Sequence, residues 1–222
     1  MKRITRQESI VYLTPEKLAS CLKAMAVLDI IMVPEEDSWL RLISRYDSGG
    51  YRIDNGSGDG IDILFEENGV FIKGFDHEDE LNQFAADEWD ETFFQETYAG
   101  VPKNFLDIYK DDESLHSMTF CMWYSFDSGC WLQNITEGMD GGKDYLLGFI
   151  CENAVQWTEW GEDYYGEEIN CKVVEKVYAG QALAAEDIHL LLPERNAGDA
   201  LEEIAALNPG FTEIERRLLN VR

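Results

Sequence analysis

The chain has 222 residues, 45% hydrophobic and 12% aromatic, which excludes wholesale disorder and supplies one well-covered core but not two large domains. Its 44 Asp and Glu against 18 Lys and Arg give a formal net charge of −26. Nucleic acid and anionic membrane surfaces are disfavoured as ligands, because phosphates are held by basic clusters that this chain lacks.

The first helix is announced by Thr14-Pro15-Glu16: an N-cap, a proline where its missing N–H costs nothing, and an acid in the first turn. Leu18, Cys21, Leu22, Met25 and Leu28 then fall on one helical face. Before it, Ile10 to Leu13 reads as a short strand; after it, Pro34 breaks the chain. A second helix is expected through Trp39, Leu42, Ile43 and Tyr46, with a turn at Gly49-Gly50 and a strand from Tyr51 to Ile53.

The stretch from Asp54 to Glu80 concentrates the unusual backbone chemistry. Asn68-Gly69 predicts a type I′ hairpin turn, since both residues tolerate positive φ. The loop is either that pair alone or the four residues Glu66 to Gly69. Both registers keep Ile61, Ile63, Phe65, Val70 and Ile72 on one side, and the longer loop sets Asp62 opposite Lys73, worth a few tenths of a kcal/mol up to about 1. Either register brings Asp59 beside Asp76, His77 and Glu78. The flexible loop Gly56, Ser57, Gly58 thus meets a carboxylate and imidazole cluster, which is the candidate binding site.

Asp76 is expected to cap a helix carrying Leu81 and Phe84. Val101-Pro102 opens a short helix with Phe105, Leu106 and Tyr109 inward, and Met118 to Ser125 is apolar on both faces, as in a central strand. Cys130 to Ile135 returns as its partner after the turn at Asp127-Ser128-Gly129, in a register that pairs Cys121 near Asn134 to Thr136. The longest helix is expected from Lys143 to about Tyr165, with Leu146, Phe149, Ile150, Trp157, Trp160 and Tyr164 on one face as core. Further helices follow through Val173 to Tyr178, Ile188 to Leu192, and Leu201 to Leu207, which ends at Asn208-Pro209-Gly210. Thr212 with Glu215 makes a capping box for the last.

These elements predict a single α+β domain over 1–222: an antiparallel sheet of four to six strands as core (51–135), with helical parts at 14–46 and 143–220. The odd number of widely spaced cysteines, Cys21, Cys121, Cys130, Cys151 and Cys171, reads as reduced thiols in a cytoplasmic protein. No secretory signal or membrane span is read, and no cofactor is expected.

Asn55, Ser57, Asp59, Gly60 and Glu66 match positions 1, 3, 5, 6 and 12 of a calcium loop, but a strand follows where an EF-hand needs a helix. Asp59, Asp76, His77 and Glu78 have the donor types for a divalent ion, though with one local histidine. No nucleophile motif, dinucleotide loop or Walker pattern occurs. From Asp76 to Thr97 there are nine carboxylates and no Lys or Arg. Asp79, Glu80, Asp87, Glu88, Asp90 and Glu91 continue the cluster as an acidic face.

The combination N-G-S-G-D-G, K-G-F-D-H-E, W-T-E-W-G-E-D-Y-Y, V-Y-A-G-Q-A-L and L-N-P-G resembles a family of uncharacterised bacterial proteins of about this length. The resemblance implies a bacterial cytoplasmic protein and transfers no activity. The composition is also similar to that of toxin-immunity proteins. The expectation is a non-enzymatic module that binds a basic protein through its acidic face; the alternative is a metal-dependent hydrolase at Asp59, Asp76, His77 and Glu78.

Overall fold

A computed structural model describes residues 2–3, 13–46, 49–109, 112–134, 136–207 and 211–220. In chain order the elements are β1 (Lys2–Arg3), α1 (Pro15–Met32), a 3-10 helix (Glu35–Leu40), β2 (Ile43–Arg45), β3 (Tyr51–Asp54), β4 (Gly60–Glu66) and β5 (Gly69–Phe75). Then come α2 (Glu91–Thr97), α3 (Lys103–Leu106), α4 (Asp112–His116), β6 (Phe120–Ser125), β7 (Cys130–Gln133), α5 (Lys143–Leu147), α6 (Ala154–Tyr165), α7 (Cys171–Tyr178), α8 (Ala185–Leu191), α9 (Ala197–Leu207) and α10 (Glu213–Leu219). The fold is α+β. The chain divides into two compact units: a sheet unit of Met1–Pro15 with Gly50–Phe149, and a helical unit of Glu16–Gly49 with Ile150–Arg222.

In the sheet unit the strands pair antiparallel in the order β1-β7-β6-β5-β4-β3. The β4–β5 hairpin closes on Glu66 opposite Gly69, so the longer of the two expected loops forms and Asp62 faces Lys73. The turn is not type I′, because neither Glu67 nor Asn68 has positive φ. Gly69 is required for another reason: a Cβ there would collide with the Tyr124 carbonyl oxygen of the adjacent strand. The Asn-Gly signal therefore located the hairpin through the wrong geometry.

Both faces of β4 and β5 are buried. Ile61, Ile63, Phe65, Val70 and Ile72 share one face, as their alternation predicts. On the other, Arg52, Asp62, Lys73 and Cys121 form one cross-strand row. Asp62 meets Lys73 Nζ at 3.2 Å and Arg52 Nη1 at 2.9 Å, Tyr109 donates its hydroxyl to Asp62 at 3.1 Å, and Lys73 donates to Ser114 O at 2.6 Å. Burial lowers the Lys73 pKa, with Asp62 opposing that effect. The pair is an interior one, so stranding either member would cost several kcal/mol, about 3–5 by analogy with other buried pairs, rather than the fraction expected of a surface pair. Phe105 of α3 stacks on Phe71 at 5.4 Å between centroids and covers this face.

β6 lies between β5 and β7, the central position its two-sided apolar sequence predicts. Its register with β7 sets Met122 opposite Gln133 and so directs Cys121 towards Asn134. All five cysteines are free thiols.

The helical unit is built on α1, whose predicted face of Leu18, Cys21, Leu22, Met25 and Leu28 is buried. The C-terminal carbonyls of α1 are met by arginines: Arg41 donates to Val33 O at 3.0 and 2.7 Å, and Arg195 to Ile30 O at 3.3 Å. Both guanidinium groups pair with Glu203 of α9, at 2.7 and 2.6 Å. The helix expected through Trp39 to Tyr46 does not form. The chain is a 3-10 helix to Leu40, extended at Arg41, and a strand at Ile43–Arg45. The Ile43 N–H is drawn to the buried Asp29 carboxylate at 2.8 Å, a tertiary bond that overrides local helical spacing.

The long helix expected over Lys143 to Tyr165 is two helices, α5 and α6, and α1 is the longest described. Asn153 stops the run by capping α6: its side chain accepts from Gln156 N at 3.1 Å, while Gln156 Oε1 accepts from Glu152 N at 2.8 Å. Of the expected face, Leu146, Ile150 and Trp157 are buried, whereas Tyr164 is exposed. The Thr212–Glu215 capping box of α10 forms as read. Of the strand expected at Ile10 to Leu13, Ile10 to Tyr12 lie outside the described residues and Leu13 is in no strand; the strand end at Ile135 and the terminator Asn208-Pro209-Gly210 also lie outside them. Among those described, no helix is long and apolar enough to cross a membrane.

Candidate functional site

The β4–β5 register places Gly60 opposite Phe75, so the residues just outside that pair, Asp59 and Asp76-His77, must meet. Asp59 Oδ1 accepts the His77 backbone N–H at 2.9 Å and lies 2.7 Å from His77 Nδ1, while Asp59 Oδ2 accepts from Asn55 Nδ2 at 2.7 Å. Burial works to raise the Asp59 pKa, but these hydrogen bonds outweigh it and hold the carboxyl below its ordinary value. The same bond lifts the His77 imidazole above its ordinary value. Asp59 fixes the ring by Nδ1 and leaves Nε2 on the solvent side.

The glycine loop folds as a chain of side-chain-to-backbone turns. Asp54 Oδ1 accepts from Gly56 N at 2.9 Å, and Asn55 Oδ1 from Ser57 N at 2.8 Å and Asp59 N at 3.2 Å. Gly56 and Gly58 adopt φ of +72° and +102°, which side-chain-bearing residues rarely enter. Gly58 sits directly under the imidazole; a Cβ there would lie 3.6 Å from the ring. Ser57 is exposed on this loop.

Asp76 caps no helix. Its Oδ1 accepts from Glu78 N at 3.0 Å, and the pattern repeats as Asp79 accepts from Leu81 N, Asn82 from Phe84 N and Asp90 from Thr92 N. Each of these side chains offers the backbone an alternative to a helical bond, which is why the acidic run stays in turns until α2 begins after Asp90.

One carboxylate oxygen from each of Asp59 and Asp76 and a ring nitrogen of His77 lie within 4.8 Å of one another. These residues fit the oxygen and imidazole donor set of a divalent ion. Glu78 stands outside the cluster: its carboxylate is 3.9 Å from His77 Nε2 and 85% exposed. The sequence reading missed three residues that hold the corner. Asn55 fixes Asp59, Asn82 donates to His77 O at 2.8 Å, and Thr119 Oγ1 accepts from Asp76 N at 3.1 Å while donating to Gly141 O at 2.7 Å. The Gly141-Gly142 pair was the available signal, since a side chain at Gly142 would collide with Asp76.

Of the acidic face, Glu80, Asp87, Glu88, Asp90 and Glu91 are exposed and Asp79 is half-buried. Between them stand two aromatics, Phe84 at 51% and Trp89 at 46% exposure. Phe75 packs against Phe84 at 6.0 Å, Phe84 against Trp89 at 5.6 Å, and Trp89 against Phe94 and His116 at 5.2 and 5.0 Å. Beneath them, Phe93, Phe94 and Met118 form a buried cluster. Trp89 Nε1 donates to Glu91 at 3.1 Å, which orients the indole. The acidic face is thus also an aromatic one.

No protein-family model matches the chain, and no curated protein or solved structure matches it.

Proposed function

We propose that this chain is a protein-binding module whose Asp76–Glu96 segment receives a basic segment of a partner protein. One observation carries the reading: Phe84 and Trp89 stand half-exposed among nine carboxylates with no Lys or Arg in the run. Exposed aromatics on a rigid base are the usual energetic anchors of an interface. A Lys or Arg seated on Trp89 gains a cation–π contact of about 0.5–2 kcal/mol, and the surrounding carboxylates accelerate and orient the encounter. The resemblance to bacterial proteins and the immunity-like composition support a cytoplasmic setting with a cationic protein as partner.

Selection of a displayed random-peptide library on the purified protein tests this. Enriched peptides are expected to carry net positive charge, to bind more weakly as salt rises, and to lose affinity with Trp89→Ala or Phe84→Ala. Enrichment of neutral or acidic peptides, or affinity indifferent to both variants, would count against the reading.

The mutual approach of Asp59, Asp76 and His77 favours a second reading, a divalent-cation site serving a hydrolase. Against it, Asp59 already accepts hydrogen bonds from His77 and Asn55, bonds that a cation would have to displace. Elemental analysis of the wild type and His77→Ala separates the two: a stoichiometric metal lost in the variant would promote the second reading.

A further inference from the structure

The helical unit contains a cavity of about 520 Å3, within the size range of small-molecule sites. Its walls come from α1, the turn after α7, α9 and α10: Val27, Val177, Leu201, Ile204 and Leu219 form an aliphatic wall, and Ser20, Tyr178 and Gln181 add polar groups. Among the described residues no carboxylate lines it, although 44 of the 222 residues in the chain are acidic. The one ammonium among those lining residues is that of Lys23, which spacing on α1 places on the same face as Val27 and Ser20.

Among the described residues no carboxylate pairs with Lys23; its ammonium lies 5.2 Å from the centre of the Phe211 ring. Partial burial lowers its pKa, the expected result for a cation without a compensating anion. An anion brought to this ammonium would supply the missing charge. Two features restrict which anion. One ammonium balances one charge, and the chain's net charge of −26 repels every further one. The aliphatic wall removes alkyl surface from water, which favours an anion that carries an alkyl chain.

We propose that this cavity binds an alkyl monocarboxylate, with the carboxylate on Lys23 Nζ at its mouth and the chain against the Val177, Leu201, Ile204 and Leu219 wall. It is a small-molecule site independent of the acidic face, which belongs to the other unit.

The test is titration of the intact protein with octanoate, 1-octanol and octylamine below their aggregation limits, followed by calorimetry and by amide chemical shifts. Octanoate is expected to bind about tenfold or more tightly than octanol, and octylamine more weakly than either, with shifts on α1 and α9. Lys23→Met should abolish the preference of octanoate over octanol while retaining the alkyl contribution. Ala205 lines the cavity and is itself exposed, so Ala205→Trp should block all three ligands without burdening the core, and it decides the matter if Lys23→Met does not fold. Equal binding of octanoate and octanol, a preference for octylamine, or a preference for octanoate that survives Lys23→Met would overturn the proposal.

Discussion

Asp59 in the sheet unit and Asp29 in the helical unit are both closed to solvent, at 5% and 1% exposure, and each accepts a backbone N–H, from His77 and Ile43 respectively. Asp59 lies just beneath a surface corner beside the exposed His77 and Asp29 deep in the interior, and their acidities move in opposite directions. Asp59 is held below its ordinary value, because the hydrogen bonds from His77 and Asn55 outweigh its desolvation. Asp29 is pushed up to about 6: desolvation dominates, and the bonds from Ile43 N–H and the Tyr165 hydroxyl do not offset it. The two differ in how far desolvation outruns the hydrogen bonds set against it. At the shallow corner three donors, the His77 N–H and ring and the Asn55 amide, outweigh a modest desolvation, whereas deep among the helices the Ile43 N–H and the Tyr165 hydroxyl do not. Closure to solvent alone does not set the charge of a carboxyl; depth weighed against its donors does.

The largest expected effect is structural. Asp29→Ala strands the Ile43 N–H and the Tyr165 hydroxyl in the interior, and at pH 5 it should destabilise the helical unit by about 3 kcal/mol. Asp59→Ala opens a corner that water can reach and should cost about 1 kcal/mol. Amide hydrogen exchange at Ile43 and His77 reads the two losses separately. Equal losses would break the comparison.

Acidification sharpens it. The folded value of Asp29 lies above the unfolded one, so its contribution is fully present below about pH 4 and is lost as pH rises through about 6. Asp59 has the reverse sign: its contribution is present above about pH 4 and lost as pH falls through its depressed folded value. That of His77 is present below about 6.5 and lost as pH rises through its raised folded value. Between pH 5 and 3, protection at His77 should fall while protection at Ile43 holds. Parallel loss at both amides would contradict the assignment.

The smallest effects concern the supporting donors. Tyr165→Phe removes a hydroxyl that donates to Asp29 and should raise the Asp29 pKa further. Asn55→Ala should likewise raise that of Asp59, both changes being read from carboxyl carbon shifts. A fall in either value would show that the donor is misassigned.

The sheet was legible because alternation over Ile61 to Phe65 and Val70 to Ile72 has few solutions, and once the turn is placed the register follows to within two residues. That register carried the Asp59–His77 meeting with it. What was not legible depended on competition for backbone groups. Asp76, Asp79, Asn82 and Asp90 each hold an N–H two residues on, and helical spacing of Leu81 and Phe84 cannot reveal that. Ile43 is extended because an aspartate of α1 takes its N–H, and Asn153 divides an apparently continuous stripe by capping. The exposure of Phe84 and Trp89 followed from the same turns, since a helix through this run would have been free to bury Phe84.

The proposed function is tested most directly by following the Trp89 indole N–H resonance during titration with a basic peptide selected on the protein. The account predicts that this signal and those of Phe84 and Glu88 move together, that the midpoint shifts to higher peptide concentration with salt, and that Trp89→Ala weakens binding by about tenfold or more. Binding that leaves the indole signal in place, and moves instead signals outside the Asp76–Glu96 segment, would contradict it.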